Sequence, residues 1–226
     1  MDERLRTLRT LFDGLPEDLT LQAFSHSSWV EDRAVSYERL AFLGDSVLNL
    51  AVSRSLFPRF KRHTAGRLTK IRAQAVSRRS CVEVARALDV PDRMRAAAPG
   101  GQQPLVEAPI SSDSVLAEAL EAAIGACLLA FDFERTAAAV TEAFEPQVEE
   151  AIATIFDFKS ELQERLAQRG ELVKYTVVGE QGPPHDRRFE TVAEVNGRRL
   201  GTGIGRSKKE SEQGAAKEAL AQLGEM

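Results

Sequence analysis

The sequence predicts two domains of different class: an all-α domain over residues 1–150, followed by a small α+β domain over residues 157–226 with the order α-β-β-β-α. Apolar residues recur at helical spacing through the first part, and no strand-like run interrupts it. After Asp157 the pattern changes to β-branched and aromatic runs with period-two alternation. A chain of 226 residues with 43% hydrophobic residues is large enough for a main core and a smaller one.

Helical spacing in the all-α part covers residues 5–15, 38–57, 66–88, 112–130 and 134–155, which predicts a bundle of six or more helices. Pro58 marks the end of the second of these stretches. Residues 97–112 are rich in Pro, Gly and Ser, so they predict a long loop.

The α+β part begins with a predicted helix over residues 159–168. Three strands follow, with the sequences VKYTVVGE, RFETVAEV and RRLGTGIG, and Asn196-Gly197 predicts a tight hairpin between the last two. Ser207 suits the N-cap of a final helix that extends through Leu223, with Glu210 completing a capping box.

Composition excludes some classes of protein. The longest apolar run, Ala122 to Phe131, is about half of a membrane span, and the charged N-terminus MDERLRTLRTLFDG is no secretory signal. Cys81 and Cys127 indicate neither a zinc site nor a disulfide framework, so a reducing cytoplasm is expected. The net charge of −4 does not exclude nucleic acid, because charges sorted onto faces still form basic surfaces.

An acidic pair lies on one face of the predicted helix over residues 38–57. Glu38 and Asp45 are seven residues apart, which is two turns, and Ala41 lies between them on that face. Asp45 follows Gly44 within an apolar stretch, where a glycine suits the close approach of a helix or ligand. The alternatives are that Glu38 is a first-turn acid favoured by the helix dipole and that Asp45 is merely solvated.

A second acidic pair, Glu118 and Glu121, lies three residues apart beside the apolar stripe of the helix over residues 112–130. A carboxylate is unfavourable there unless it meets a cation, although a solvated pair with surface partners is the alternative. Four carboxylates from two helices could converge on a hard divalent ion, which prefers oxygen ligands. Such an ion activates water for attack on a phosphodiester.

Three strings give the chain a close resemblance to the ribonuclease III family: FSHSSW, YERLAFLGDSVL and SVLAEALEAAIGA. The resemblance covers nearly the whole chain and implies a metal-dependent endoribonuclease that dimerises and cuts both strands of double-stranded RNA. The implied ion is Mg²⁺, with Mn²⁺ as a substitute. The resemblance implies Asp45 and Glu121 as catalytic residues and a metal site formed by Glu38, Asp45, Glu118 and Glu121.

The sequence departs from the family pattern at three acidic positions. The family has glutamate where Ala41 stands, usually an acid where Ala65 stands, and aspartate in place of Glu118, whose side chain is one methylene longer. Losing a carboxylate weakens Mg²⁺ binding, because this ion uses few protein ligands and completes its shell with water. An alternative therefore remains: a catalytically impaired double-stranded RNA-binding protein on a ribonuclease III scaffold.

The α+β part resembles a double-stranded RNA-binding domain at three places. Such domains read A-form shape and 2′-hydroxyl groups with little sequence readout, and lysines beside helix N-terminal amides suit phosphate. Each residue alone could be an ordinary solvated side chain. The implied RNA-binding residues are Lys159, Gln163 and Glu164 in the first helix, His185 in a Gly-Pro-Pro-His loop, and Arg206, Lys208 and Lys209 at the start of the last helix.

The resemblance to the ribonuclease III family implies an endoribonuclease that processes structured RNA precursors such as ribosomal RNA, and it is expected in the cytoplasm. Its expected partners are double-stranded RNA and a second copy of the chain, bound through the nuclease domain, with no membrane contact. Residues 37–57 are apolar on more than one face, so that helix needs more than one packing partner. That a second copy is one of them follows from the resemblance.

Overall fold

The computed structural model describes residues 3–100, 103–155, 157–183 and 186–224. The chain divides into two compact units. The first unit extends to Ile152 without the segment Phe60–Arg62, and the second unit comprises that segment and the residues from Ala153 onwards.

The first unit is built from helices over its described residues, which confirms the predicted all-α class. The helices are α1 Arg6–Asp13, α2 Glu17–Phe24, α3 Glu38–Arg59, α4 Ala65–Ala75, α5 Arg78–Ala87, α6 Val90–Ala97, α7 Gln103–Ile110, α8 Asp113–Ala130 and α9 Phe133–Ile155. The stretch 66–88 is divided between α4 and α5, because Ser77 caps α5 and its hydroxyl accepts a hydrogen bond from the Ser80 N–H.

The prediction of a long loop over residues 97–112 is wrong in part, because α7 lies inside it. Tertiary contacts explain this helix. The Ile110 side chain is buried, the Trp29 indole donates to the Leu105 carbonyl oxygen at 3.1 Å, and Arg95 pairs with Glu107 at 2.9 Å. Local Pro and Gly content could not reveal partners that are distant in sequence.

Helices α3 and α8 cross closely at two glycines. A Cβ added at Gly44 would lie 1.7 Å from the carbonyl oxygen of Glu121, and one added at Gly125 would lie 2.3 Å from that of Leu40. Only residues without a Cβ allow the two backbones to approach so closely. This crossing forms the centre of the first unit, with α2 and α5 also packed on α8.

Within the described part of the chain, α3 has the length and apolar character that a membrane span would need. One face of α3 lies in the core of the unit, since Leu48, Val52 and Leu56 are almost fully buried, whereas Phe42, Leu50 and Phe57 are exposed. Core packing therefore explains only part of the hydropathy of α3.

The second unit confirms the predicted α-β-β-β-α order. Its elements are α10 Phe158–Ala167, β1 Val173–Gln181, β2 Arg188–Val195, β3 Arg198–Gly205 and α11 Lys208–Gln222. The strands form one antiparallel sheet in the order β1-β2-β3. Asn196 and Gly197 both have positive φ, 51° and 78°, as the predicted two-residue turn requires.

Helix α11 packs directly on β3. Cβ atoms added at Gly201 and Gly203 would lie 2.3 Å and 2.1 Å from backbone oxygens of α11. At its start the Ser207 hydroxyl accepts from the Glu210 N–H at 3.1 Å. The predicted capping box is only half formed, because Glu210 accepts from the Arg206 N–H rather than from that of Ser207.

Candidate active site

Asp45 and Glu121 lie where α3 crosses α8. Because Gly44 precedes Asp45 and abuts the Glu121 backbone, the crossing brings their carboxylates within electrostatic reach. Asn49 lies one turn after Asp45, and its amide donates to Asp45 Oδ1 at 2.8 Å and to the Asp45 carbonyl oxygen at 2.9 Å. This pair of bonds orients the exposed Asp45 carboxylate.

Glu121 lies in the least solvated part of the acidic site. Burial raises its pKa to about 7, with further contributions from the charges of Asp45 and Glu118, while Arg78 acts in the opposite direction. The Cys81 thiol of α5 lies near the same charges. Its pKa is raised to about 12, mainly by burial and to a smaller extent by the negative charges of Glu121 and Asp45. The site therefore gathers negative charge that few cations offset.

Glu118 lies one turn before Glu121 on α8 and is held by a tyrosine. Tyr37 immediately precedes α3, and its hydroxyl donates to Glu118 Oε2 at 2.9 Å. The pKa of Tyr37 is raised by burial and then by this bond. The charge of Glu118 acts on both Glu121 and His26, so this residue connects the acidic site to the aromatic side chains around Tyr37.

Glu38 has an arginine as its partner. It forms an ion pair with Arg33, and that hydrogen bond lowers its pKa. Glu38 is not among the charges that shift the pKa of Glu121. The structure thus brings together Asp45, Glu118 and Glu121 and leaves Glu38 paired with an arginine.

The positions that lack the family's acids differ in their surroundings. Ala41 is only 6% exposed, one turn after Tyr37 and one turn before Asp45 on α3. Ala65 is the exposed first residue of α4, next to its N-cap Thr64. Ala41 therefore lies next to the acidic site, on the same face of α3 as Asp45.

The donor set fits a hard divalent cation. Asp45, Glu118 and Glu121 supply carboxylate oxygens, the ligand type that such ions prefer. Burial is the main cause of the raised pKa of Glu121, and a cation would relieve the repulsion by Asp45 and Glu118 that adds to it. Over the described residues, no three His, Cys, Asp or Glu side chains are already arranged to enclose an ion. Binding would therefore require some adjustment within this set of side chains.

The predicted RNA-binding residues of the second unit lie on α10 and at the start of α11, and these two helices contact each other. Lys159 forms an ion pair with Glu212 of α11 and lies 5.0 Å from the centre of the Tyr175 ring. Asp157 caps α10 and accepts from the Gln213 amide at 2.8 Å, and these bonds lower its pKa to about 2. The remaining predicted residues Gln163, Glu164, Arg206, Lys208 and Lys209 are exposed, and His185 lies outside the described residues.

Sequence reasoning missed several residues of the acidic site. Tyr37 and His26 lie within the strings that carried the resemblance, but nothing in their spacing indicated a contact with Glu118. Asn49 could have been found, because it lies four residues after Asp45 on the same helix. Arg78 and Cys81 come from α5, whose position against α8 is a tertiary feature.

Comparison with known proteins covers both units. Residues 16–148 match the Ribonuclease-III-like family, and residues 158–223 match the double-stranded RNA binding motif. The chain is 38% identical over 216 residues to Ribonuclease 3 of Anoxybacillus flavithermus, covering 93% of this chain and 89% of that protein. It is 40% identical over 215 residues to Ribonuclease 3 of Clostridium perfringens, covering 91% and 87%.

A solved structure supports the same relationship for the first unit. The nuclease domain of ribonuclease III from Campylobacter jejuni superposes with a TM-score of 0.53 at 30% identity, covering 63% of this chain and 97% of that one. The family match spans more than half of the chain, and the relatives align over both units. The chain therefore belongs to the ribonuclease III family.

Proposed function

We propose that this chain is an endoribonuclease that cleaves double-stranded RNA with a divalent metal ion. The observation that carries the proposal is the pairing of Asp45 with Glu121 at the α3–α8 crossing, inside a site that holds excess negative charge. Relatives that align over nearly the whole chain are named Ribonuclease 3, and the comparisons give no indication of lost catalysis.

Each acidic residue has a distinct part in the proposed site. Asp45, oriented by Asn49, and Glu121 would hold the ion from the two crossing helices, and Glu118 would complete the set. We propose Mg²⁺, with Mn²⁺ as a substitute, and Glu38 as a supporting acid near Arg33. The bound ion would supply Lewis-acid activation of water and of the leaving oxygen.

The second unit is proposed to hold the duplex. Lys208 and Lys209 are exposed in the first turn of α11, where backbone N–H groups also favour phosphate. We propose that Lys159, Gln163, Glu164 and Arg206 contact the same duplex, together with His185. The nuclease domain is proposed to cover residues 1–150 and the RNA-binding domain residues 157–226, with structured precursors such as ribosomal RNA as substrates in the cytoplasm.

A homodimer through the first unit is part of the proposal. A groove of about 630 Å³ is lined by Leu40, Phe42, Leu43 and Leu129, with Gln22, Glu38 and Arg39 at its sides. Phe42 is 81% exposed and Leu129 58%, and a groove with several exposed apolar side chains is typical of a protein–protein interface. The Campylobacter jejuni structure is described as flexible in a region involved in dimer formation of its nuclease domain.

Two measurements test these proposals. Incubation of the full chain with a long RNA duplex should give cleavage with Mg²⁺ or Mn²⁺ and none with EDTA. Binding without cleavage would instead favour the catalytically impaired RNA-binding protein.

The homodimer is tested by light scattering. The measured mass should be twice the chain mass of 24.8 kDa, and Phe42→Glu should reduce the measured mass to that of a single chain. The control is Leu172→Glu, because Leu172 is 82% exposed but lies outside the first unit.

A further inference from the structure

We propose that Tyr37 is a positioning residue that orients the Glu118 carboxylate toward the divalent ion. The inference rests on the proposed metal-dependent nuclease function and assigns one additional residue to that site. It begins from one contact, the hydrogen bond that the Tyr37 hydroxyl donates to Glu118 Oε2 at 2.9 Å. This bond joins the residue before α3 to the second turn of α8.

The backbone of Tyr37 is fixed on both sides. Its N–H donates to the Ser25 carbonyl oxygen at 3.0 Å, and its own carbonyl oxygen accepts from the Ala41 N–H at 2.9 Å, within the first turn of α3. The whole residue is only 3% exposed. The hydroxyl therefore reaches Glu118 from a rigid base rather than from a mobile loop.

The Tyr37 ring is also supported by aromatic neighbours. The centre of the His26 ring lies 5.6 Å from that of the Tyr37 ring and 5.8 Å from that of the Trp29 ring. His26 Nδ1 accepts from the Ser28 N–H at 3.1 Å, and the Trp29 indole donates to Leu105 at 3.1 Å. These bonds fix the orientation of the row Tyr37–His26–Trp29, which we call the aromatic row.

The chemistry of Glu118 explains why such support is useful. A glutamate has one more rotatable bond than an aspartate, so its carboxylate loses more conformational freedom when it binds an ion. The tyrosine engages one carboxylate oxygen and leaves the other for the metal. Because Ala41 contributes no carboxylate on the neighbouring face, the ion depends more heavily on Glu118. Groups that hydrogen-bond a ligating carboxylate commonly change metal affinity by about 10–100-fold.

Metal binding to Tyr37→Phe tests the proposal without any cleavage reaction. Calorimetric titration of the RNA-free protein with Mn²⁺, and separately with Mg²⁺, should give a dissociation constant about tenfold higher than that of the wild type. Tyr175→Phe is the matched control, because it removes the other tyrosine hydroxyl of the chain, in the second unit. Its metal affinity should be unchanged.

A double-mutant cycle that combines Tyr37→Phe with Glu118→Asp separates positioning of Glu118 by Tyr37 from a general loss of structure. If Tyr37 acts through the longer side chain of Glu118, adding Tyr37→Phe to Glu118→Asp should cost much less affinity than it costs the wild type. Equal losses in both backgrounds would mean that Tyr37 only maintains the fold, and this result would overturn the proposal. Trp29, the single tryptophan, gives a fluorescence check of the aromatic row in each variant.

An absorption measurement covers the case in which Tyr37→Phe does not fold. In Tyr175→Phe the only tyrosine is Tyr37, so a tyrosine difference spectrum on adding Mn²⁺ must come from the site. We expect such a spectrum to saturate together with the calorimetric signal. Metal binding without the spectrum would overturn the positioning role alone, whereas a wild-type protein that binds no metal and cleaves no RNA would overturn the proposed function as well.

Discussion

The backbone of Gly44 lies directly against the carbonyl group of Glu121, with no room for a methyl group between them. Asp45 is the next residue along α3, so the packing of two helices also determines where two carboxylates of the acidic site meet. We expect stability and the proposed metal binding to be coupled at this contact, because any widening of the crossing separates Asp45 from Glu121.

Gly44→Ala is expected to destabilise the first unit and to impair cleavage. The new Cβ would meet the Glu121 carbonyl oxygen at 1.7 Å, so the helices must separate, at a cost of about 3 kcal/mol. Gly66→Ala is the control, because its Cβ would lie 4.0 Å from the nearest atom and should change stability by less than about 1 kcal/mol. Urea unfolding gives the free energy of unfolding of each variant. Equal values for Gly44→Ala and Gly66→Ala would contradict the close crossing of α3 and α8.

The metal-free protein should lose stability as the pH rises from about 4.5 to about 7. Burial and like charges raise the pKa of Glu121 to about 7, so between these values the folded state binds more protons than the unfolded chain. The loss is on the order of 1–2 kcal/mol, since the carboxylate keeps some solvent access. Thermal unfolding in EDTA at pH 5 and pH 8 should show this decline, which Glu121→Gln should reduce.

Asp45→Asn and Glu121→Ala should separate cleavage from binding. Either change removes a proposed metal ligand, and we expect cleavage to fall by at least about 10²-fold, because charge stabilisation by the ion is lost. The affinity for duplex RNA should stay within about threefold, since the proposed phosphate contacts come from the other unit. Gel shifts in EDTA and cleavage with Mg²⁺ provide the comparison, and parallel losses in both assays would contradict the division of roles.

Lys208→Ala combined with Lys209→Ala should produce the opposite pattern. Both side chains are exposed in the first turn of α11, and removing two phosphate contacts should lower the slope of log affinity against log salt by about 2. The loss should be similar for duplexes of different sequence. Lys174→Ala, an exposed lysine on β1, is the control. An unchanged salt slope would mean that these lysines do not meet phosphate.

Ala41→Glu tests whether position 41 faces the metal. Restoring a carboxylate beside Asp45 should lower the Mg²⁺ concentration for half-maximal cleavage, and the added like charge at a nearly buried position should destabilise the metal-free protein. Because Tyr37 already holds Glu118 close by, we expect the full gain only when Glu118→Asp is added. Unchanged metal dependence in both single variants and the double variant would show that position 41 lies away from the ion.

The sequence by itself determined both fold classes and the residues of the acidic pairs. Helical spacing identified α3, α8 and α9, and Asn196-Gly197 identified the β2–β3 turn, because these signals depend on neighbours within a few residues. The carboxylates Asp45, Glu118 and Glu121 stood out because acids beside apolar stripes require a special environment. Even Gly44 was recognised as a place of close approach, without its partner.

Tertiary structure decided what those residues contact. The backbone of Gly44 packs against that of Glu121, and Glu38 forms an ion pair with Arg33. The Tyr37 hydroxyl donates a hydrogen bond to Glu118, 81 positions away in the sequence. Tertiary structure also formed α7 within a stretch whose composition predicts a loop. Periodicity reports which face of a helix is apolar but not which helix covers that face, and the choice among partners depends on packing over the whole unit.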